Sequence, residues 1–320
     1  MPALITRYVN PDSTAGGDGT TNATAGANRA YVSLQAWETA THQNLVAADS
    51  IAEVFCETSG TADTTAVTIA GWTTDATRYI HIKTSPGHRH VGVWNDAKYK
   101  LSVTNAIVIS PEEDYVIVEG LQLEHTHSSA AGISMLNHVV ALTASNNLIL
   151  YDRCLIKNVP SGGSGTLNLV YLAANDANVQ MRNCILYDAS ADGGGTKRAV
   201  RMEAGLPTQS LTLYNCTVHN CVNGFSHGSG TAIATNVGMA SVGTPFAGTI
   251  TQTTCSTTTP TFLDEAGDNF HLSASDVTWN NQGTDLSGTF TLDVDGETRD
   301  GTWSIGADKI STGVRIGVGT

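Results

Sequence analysis

The sequence predicts an all-β chain wound into a parallel β-helix, a solenoid whose coils are made of strands. The first observation is a strand-like segment that recurs along the middle of the chain. Superposed on one inward position, the copies align at intervals of 33, 30, 32 and 21 residues, at Leu121, Cys154, Cys184, Cys216 and Val237. Repeats of about 20–50 residues are typical of solenoids, propellers and arrays.

The second observation is that the apolar residues within each copy recur with a period of two. Leu211 and Leu213, followed by Cys216 and Val218, alternate with more polar residues, as in a strand with one buried face. The third observation is a series of shorter predicted strands in step with the first, at 106–110, 139–143, 169–173, 199–203 and 224–228. Two series with one shared period indicate that each period is one coil, with successive strands parallel and about 4.8 Å apart.

The composition argues against several functions. A net charge of −13 argues against nucleic acid as a partner, because phosphate binding needs clustered Lys and Arg. The start of the chain lacks the pattern of a signal peptide, and no stretch approaches about 18 apolar residues, so we expect neither export nor a membrane partner. The cysteines at the shared inward position are expected to pack as small apolar side chains rather than form disulfides.

The chain is predicted to form one elongated domain in three parts. Residues 1–50 form an N-terminal arm and capping helix, residues 51–255 form the coils, and residues 256–320 form a C-terminal closing segment. The helix is predicted at 33–41, where Ser33 can cap it and Leu34 and Trp37 share one side. Such a helix would cover the apolar and unpaired groups at the end of a solenoid. A partner-binding role for this helix is the alternative.

The C-terminal part resembles a known family. The motifs F-x-D…D-x-F-x-L, within residues 262–272, and D-x-D-G…R…W-x-I-G-A-D, within residues 293–308, are similar to the C-terminal end of many right-handed parallel β-helix proteins. The resemblance implies a right-handed helix whose last coil this segment closes. Asp293 and Asp295 suggest a cation site, but the acids that follow do not complete an EF-hand loop. We therefore expect a structural role, no metal site and no cofactor.

The N-terminal third carries a second resemblance. The segments ITRYVNPD (residues 5–12), YVSLQAWE (residues 31–38) and TADTTAVTIAGW (residues 61–72) resemble β-helix proteins encoded among the structural genes of tailed phages. The resemblance implies a virion component assembled in the cytoplasm of a bacterial host. It leaves open whether that component decorates the capsid, forms a head spike or belongs to the tail.

An enzymatic alternative would use the outward side chains of the coils. A glycosidase needs two carboxylates about 5–10 Å apart, and Glu119 and Asp152, one coil apart, are the nearest candidate pair. Arg182 is predicted at the same level on the next coil, so a ladder of alternating charges explains these residues equally well.

A polysaccharide lyase is the second enzymatic candidate. It needs a base and a group that neutralises the carboxylate of the sugar, and Tyr171, Arg201, Glu203 and the nearby Lys197 are the candidate residues. The sequence lacks the tight acidic or basic motifs of the alginate and pectin lyases that share this fold.

Tyrosine side chains suggest a third possibility, a glycan-binding module without catalysis. A glycan-binding module would need exposed aromatic side chains, and four tyrosines are available, although the aromatic content is only 6%. The four tyrosines are Tyr151, Tyr171, Tyr187 and Tyr214.

The histidines in residues 86–90 and at positions 125 and 127 are expected in exposed turns rather than at a metal.

Together these patterns predict a non-enzymatic structural component of a tailed-phage particle that acts through protein–protein packing. Its expected partners are other virion proteins and copies of itself, with a host glycan as a further candidate. The alternative is a polysaccharide lyase or glycosidase acting on the outer face of the β-helix.

Overall fold

The computed structural model describes residues 1–58, 60–140, 142, 147–190 and 193–310. Helix α1 spans Leu34–Thr41, α2 spans Leu45–Ala48, and one turn of 3-10 helix spans Glu265–Gly267. No helix within these ranges is both long and apolar enough to cross a membrane.

Most of the regular structure in these ranges is β-strand. The strands are, in chain order, β1 Ala3–Val9, β2 Ser50–Cys56, β3 Val67–Ile69, β4 Ile80–Thr84, β5 Lys100–Thr104, β6 Ile109–Pro111, β7 Val116–Glu119, β8 Gln122–His127, β9 Ile133–His138, β10 Ile149–Asp152, β11 Leu155–Pro160, β12 Leu167–Leu172, β13 Asn178–Arg182, β14 Ile185–Tyr187, β15 Lys197–Met202, β16 Ser210–Tyr214, β17 Thr217–Ser226, β18 Thr231–Thr235, β19 Gly238–Ala247, β20 Thr251–Thr253, β21 Phe262–Asp264 and β22 Asn269–Leu272.

The first sheet contains nine strands in the order β1-β2-β4-β7-β10-β13-β16-β18-β20. Every neighbouring pair in it is parallel. Val116 pairs with Ile149, Ile149 with Val179, and Val179 with Leu211, which reproduces the register predicted from the repeat. A strand with one buried face has a strongly specified register, because a slip of one residue would turn its apolar side chains outward. The prediction of parallel, stacked strands is confirmed.

Cys154, Cys184 and Cys216 stack on successive coils, as predicted. The amide of Ile185 donates to the carbonyl of Cys154 at 3.0 Å, and the amide of Thr217 donates to that of Cys184 at 2.9 Å. Cys154, Cys184 and Cys216 are fully buried and form no disulfide. Their thiols therefore fill the interior as small apolar groups, as expected.

The second sheet combines two strand series, in the order β3-β6-β9-β12-β15-β17-β14-β11-β8-β5, with β19 beside β17. The series meet because the long strand β17 pairs with β14 at its start and with β15 at its end. A middle coil thus contributes one strand to the first sheet and two strands to the second. The chain has an all-β, parallel, solenoid-like fold.

A left-handed residue turns the chain from the first sheet into the second on each of four successive coils. These residues are Arg153, Asn183, Asn215 and Asn236, with φ of 54°, 53°, 46° and 55°. Asparagine tolerates this region better than most residues. The three-residue step from Leu213 to Cys216, which interrupts the period of two, is therefore a bend between two strands rather than an irregularity in one.

One predicted short strand is misplaced. The prediction at 139–143 is wrong, because the strand of that coil is β9 at Ile133–His138, where Leu136 pairs with Val170 inside the stack. Val139 and Val140 lie outside the strand and are exposed, and residues 141 and 143 lie outside the described residues. Val139 and Val140 imitate strand alternation without reaching the core, whereas Leu142 is buried in it. Strands β12 and β15 lie where the short series predicted them.

Helix α1 forms where predicted and covers the edge of β3. Ser33 caps it through a hydrogen bond from the amide of Ala36 at 3.1 Å. The side chain of Gln35 accepts from the amide of Thr68 at 2.8 Å, and that of Glu38 accepts from the amide of Ala70 at 3.1 Å. These bonds satisfy backbone donors that an edge strand would otherwise leave open.

The segment after residue 260 runs along the side of the stack and contacts the bends of several coils. Asn215 donates to the carbonyl of Ser304 at 2.8 Å, and Asn236 donates to that of Thr284 at 2.7 Å. Arg299 donates to the side chain of Asn183 at 3.1 Å. The resemblance implied closure of the last coil, whereas these contacts hold the segment against the flank of the coils.

Candidate functional site

The predicted carboxylate pair lies on the outer face of the first sheet. Glu119 pairs in register with Asp152, and Asp152 pairs with Arg182, so the three side chains form one row on successive strands. They line a pocket of about 240 Å³ whose other wall is residues 289–292 of the C-terminal segment. The level of these residues was predicted correctly from the sequence.

Each oxygen of Glu119 faces a basic side chain. His81 lies 2.9 Å from one oxygen, and the guanidinium of Arg153 bonds the other. Burial alone would raise the pKa of Glu119, but the hydrogen bond with His81 and the charge of Arg153 outweigh it and lower the pKa to about 2. Glu119 is therefore ionised at neutral pH.

Asp152 is held in the same way. Its carboxylate lies 3.2 Å from the guanidinium of Arg182 and 3.5 Å from that of Arg153. A glycosidase needs one carboxylic acid that stays protonated near neutral pH, which requires a raised pKa. The opposite holds for Glu119, and both carboxylates contact guanidinium groups, so the row has the arrangement of a charge ladder that joins coils. Arg153 was not predicted as part of this group. Its position between Asp152 and Cys154, the first stacked cysteine, could have indicated it.

The second candidate group lies on the outer face of β12 and β15. The hydroxyl of Tyr171 donates to Glu203 at 2.7 Å, and Arg201 donates to the same carboxylate at 2.7 and 2.9 Å. The hydrogen bonds from Arg201 and Tyr171 lower the pKa of Glu203 to about 2. Burial and the bond with Glu203 raise the pKa of Tyr171. A lyase needs a free cation and an easily ionised base, and here each of the three groups is engaged by another.

Lys197, proposed as a helper of this group, points into the stack. Its side chain is fully buried and donates to the carbonyls of Gly163 at 2.6 Å and Gly165 at 2.9 Å. It also lies 3.1 Å from a ring nitrogen of His127. The expectation that Lys197 reaches a substrate is wrong, because the ammonium group binds a turn of the preceding coil inside the stack.

The chain matches no known protein family, no curated protein and no solved structure. The resemblances of its two ends to β-helix and tailed-phage proteins stay predictions.

The tyrosines considered as glycan platforms are mostly unavailable. Tyr151 and Tyr187 are buried, the first against His138 and the second against Phe270. Tyr171 is committed to Glu203, and Tyr214 packs near Phe290 with ring centroids 6.3 Å apart. The interpretation of these four residues as exposed platforms is wrong for Tyr151 and Tyr187.

The histidines predicted in exposed turns are in part buried. His125 and His127 lie in β8 with no exposed surface, and His90 hydrogen-bonds the carbonyl of Arg153 at 2.8 Å. Burial lowers the pKa of His90 to about 3 and that of His125 to about 4. The prediction of an exposed turn fails for these three residues. Charged and polar neighbours in sequence, such as Arg89, concealed their inward orientation.

The feature most directly suited to binding another protein was missed from the sequence. On the outer face of the first sheet, the residues just before β4, β7 and β10 stack with outward residues of β1 and β2. All are apolar or aromatic and half-buried, except for one that is 61% exposed. We call them the outer apolar row: Leu4 (the exposed member), Ile51, Tyr79, Tyr115 and Leu148. Ile117 lies beside this row and lines, with its last three members, a depression of about 360 Å³.

Proposed function

We propose that the protein is a non-enzymatic structural component of a tailed-phage particle, such as a capsid decoration, a head spike or a tail-associated protein. In this proposal the parallel stack is a right-handed β-helix capped by α1, and it acts by packing against copies of itself and other virion proteins. The particle is assembled in the host bacterial cytoplasm. The N-terminal resemblance supports the assignment to a virion.

The outer apolar row is the observation that carries the packing role. Five successive strands place an apolar or aromatic side chain at the same outward level, over a length of about 19 Å at the strand spacing of a sheet. Contiguous apolar surface on a soluble chain is typical of an interaction site. Farther along the sheet the same level is occupied by Asn178, Ser210 and Thr231, so the apolar character is confined to one half of the face.

A second copy of the chain is the partner that fits this surface best. Two parallel stacks have the same strand spacing, so their rows can interdigitate along their whole length with the sheets about 10 Å apart. The five strands of the row extend over about 19 Å and would form the apolar centre of the interface, with the polar half of the sheet outside it.

Replacing Ile117 with lysine is expected to reduce the oligomer to a monomer, because a charge at the centre of the interface would lose its hydration on assembly. Light scattering at several concentrations measures the mass. Gln180→Lys, at the same level on the polar half of the sheet, is the control and should keep the wild-type mass. A wild type that stays monomeric throughout, or an unchanged mass for Ile117→Lys, would contradict self-association.

Purified particles give the test of the virion assignment. We expect the chain in stoichiometric amounts with the other structural proteins, measured by quantitative mass spectrometry. We expect no turnover of a panel of neutral and acidic polysaccharides by the purified protein. Turnover that Arg201→Ala or Asp152→Ala abolishes would overturn the proposal in favour of the lyase or glycosidase.

A further inference from the structure

Three potential metal ligands meet where the C-terminal segment folds onto the flank of the stack. They are His271 in β22, Asp295 in the turn after residue 292, and Asp308 at the end of the described chain. One ligand atom from each lies within 4.8 Å of the other two. His271 and Asp308 are about 5% exposed or less, so the group is not a chance cluster of surface acids.

The hydrogen bonds of His271 fix what its ring can do. Nδ1 lies 2.6 Å from the side-chain oxygen of Asn269, and the same oxygen accepts the backbone amide of His271 at 3.2 Å. Nδ1 must therefore carry a proton. Nε2 lies 3.0 and 2.9 Å from the two oxygens of Asp295. Either Nε2 is protonated too, and the ring is an imidazolium, or its lone pair binds a cation shared with Asp295.

The arrangement around Nδ1 favours the cation. Histidines that bind metals usually donate their other ring N–H to a carbonyl or carboxylate oxygen, which fixes the tautomer and aims the free nitrogen at the metal. Asn269 supplies such an oxygen here. The separations of about 3 Å between Nε2 and the carboxylate oxygens are those of ligands about 90° apart around an ion bound at about 2.1 Å, so a tetrahedral ion would require them to open to about 3.4 Å.

A glycine lies directly opposite the group. Gly92 has φ of 74°, and a Cβ at this position would lie 2.4 Å from Oδ1 of Asp295 and 2.5 Å from Nε2 of His271. Any other residue would fill the space directly over these two ligand atoms. Asp293, fully buried in the same turn, adds a further carboxylate whose Oδ2 has no hydrogen-bond partner among the described atoms.

We propose that His271, Asp295 and Asp308 bind a divalent transition-metal ion, with Zn²⁺ the best fit. One imidazole nitrogen with two carboxylates suits zinc, whereas calcium takes six to eight oxygen ligands. The ion would join β22, the 293–297 turn and the end of the described chain beneath Gly92. It would thereby cross-link three parts of the C-terminal segment where that segment lies against the coils, a role independent of the virion assignment.

Isothermal titration of chelator-treated, full-length protein with ZnCl₂ tests the site. We expect one saturable site, at least tenfold weaker binding for Asp308→Asn and His271→Gln, and a rise in melting temperature with zinc. Asp300→Asn, an exposed carboxylate paired with Lys309 in the same segment, is the control and should bind as the wild type does. Wild-type protein without saturable zinc binding, or equal affinity for His271→Gln, would overturn the proposal and leave an imidazolium–carboxylate ion pair.

Discussion

Replacing Arg299 with alanine is expected to lower the free energy of unfolding by about 3–5 kcal/mol, the cost of breaking a buried charged network. The Arg299 side chain is buried and donates to the side chain of Asn183 at 3.1 Å and to the carbonyls of Gly306, at 3.2 Å, and Ala307. Its charge also offsets that of buried Asp293. The substitution would leave these acceptors without their donor and loosen the C-terminal segment from the coils.

Urea unfolding followed by circular dichroism measures this loss. Arg29→Ala is the matched control, because Arg29 also donates to backbone carbonyls but lies in an exposed loop. We expect the control to change the free energy of unfolding by less than about 1 kcal/mol. A loss equally small for Arg299→Ala would show that the segment does not depend on this guanidinium.

Acidification from pH 6.5 to pH 4 is expected to destabilise the protein by about 5 kcal/mol. Burial lowers the pKa of His90 and His138 to about 3 and that of His125 to about 4, from an ordinary value of 6.5. In this pH window the three histidines become protonated in the unfolded chain but stay mostly neutral in the folded chain. Each histidine thereby costs about 3 kcal/mol by pH 4.

Asp293 acts in the opposite direction. Burial, with the charge of Asp295, raises the pKa of Asp293 to about 7, so the folded chain binds this proton more tightly than the unfolded chain. Stability from this group is gained as the pH falls from 7 towards 4, by about 4 kcal/mol. The histidines outnumber it, so the net effect is a loss.

Urea unfolding at pH 6.5, 5.25 and 4 tests the acid effect. His138→Phe keeps an aromatic ring against Tyr151 and removes one titrating group, so the loss on acidification should shrink by about 3 kcal/mol. Stability that stays level or rises towards pH 4, or a loss unchanged in His138→Phe, would contradict buried neutral histidines.

The stacking of the coils was predictable because it depends on a pattern that the sequence displays directly. A buried face allows one register only, so the spacing of Cys154, Cys184 and Cys216 predicts which strands pair and in which register. The sequence also indicates the bend on two of these coils, because Asn183 and Asn215 directly precede Cys184 and Cys216. It was not identified as a bend because an interrupted alternation can equally be an irregularity within one strand.

The candidate site was less predictable because its chemistry depends on contacts between distant segments. Glu119 and Asp152 were placed at the right level, but the protonation of Glu119 depends on its contacts with His81 on one side and Arg153 on the other. Likewise, His271 meets Asp295 only after the chain folds back along the flank. Neither partner lies at a spacing that marks it as a ligand or an ion pair.

Distances between spin labels along one outward level test the stacked architecture most directly. One label at Thr6 is combined with a second at Gln180, Thr212 or Ile233, which lie at one level on β13, β16 and β18. Counting strands from β1, we predict about 24, 29 and 34 Å by pulsed electron paramagnetic resonance, an increase of about 4.8 Å per strand. Distances that do not grow steadily in this order would contradict a solenoid of parallel coils.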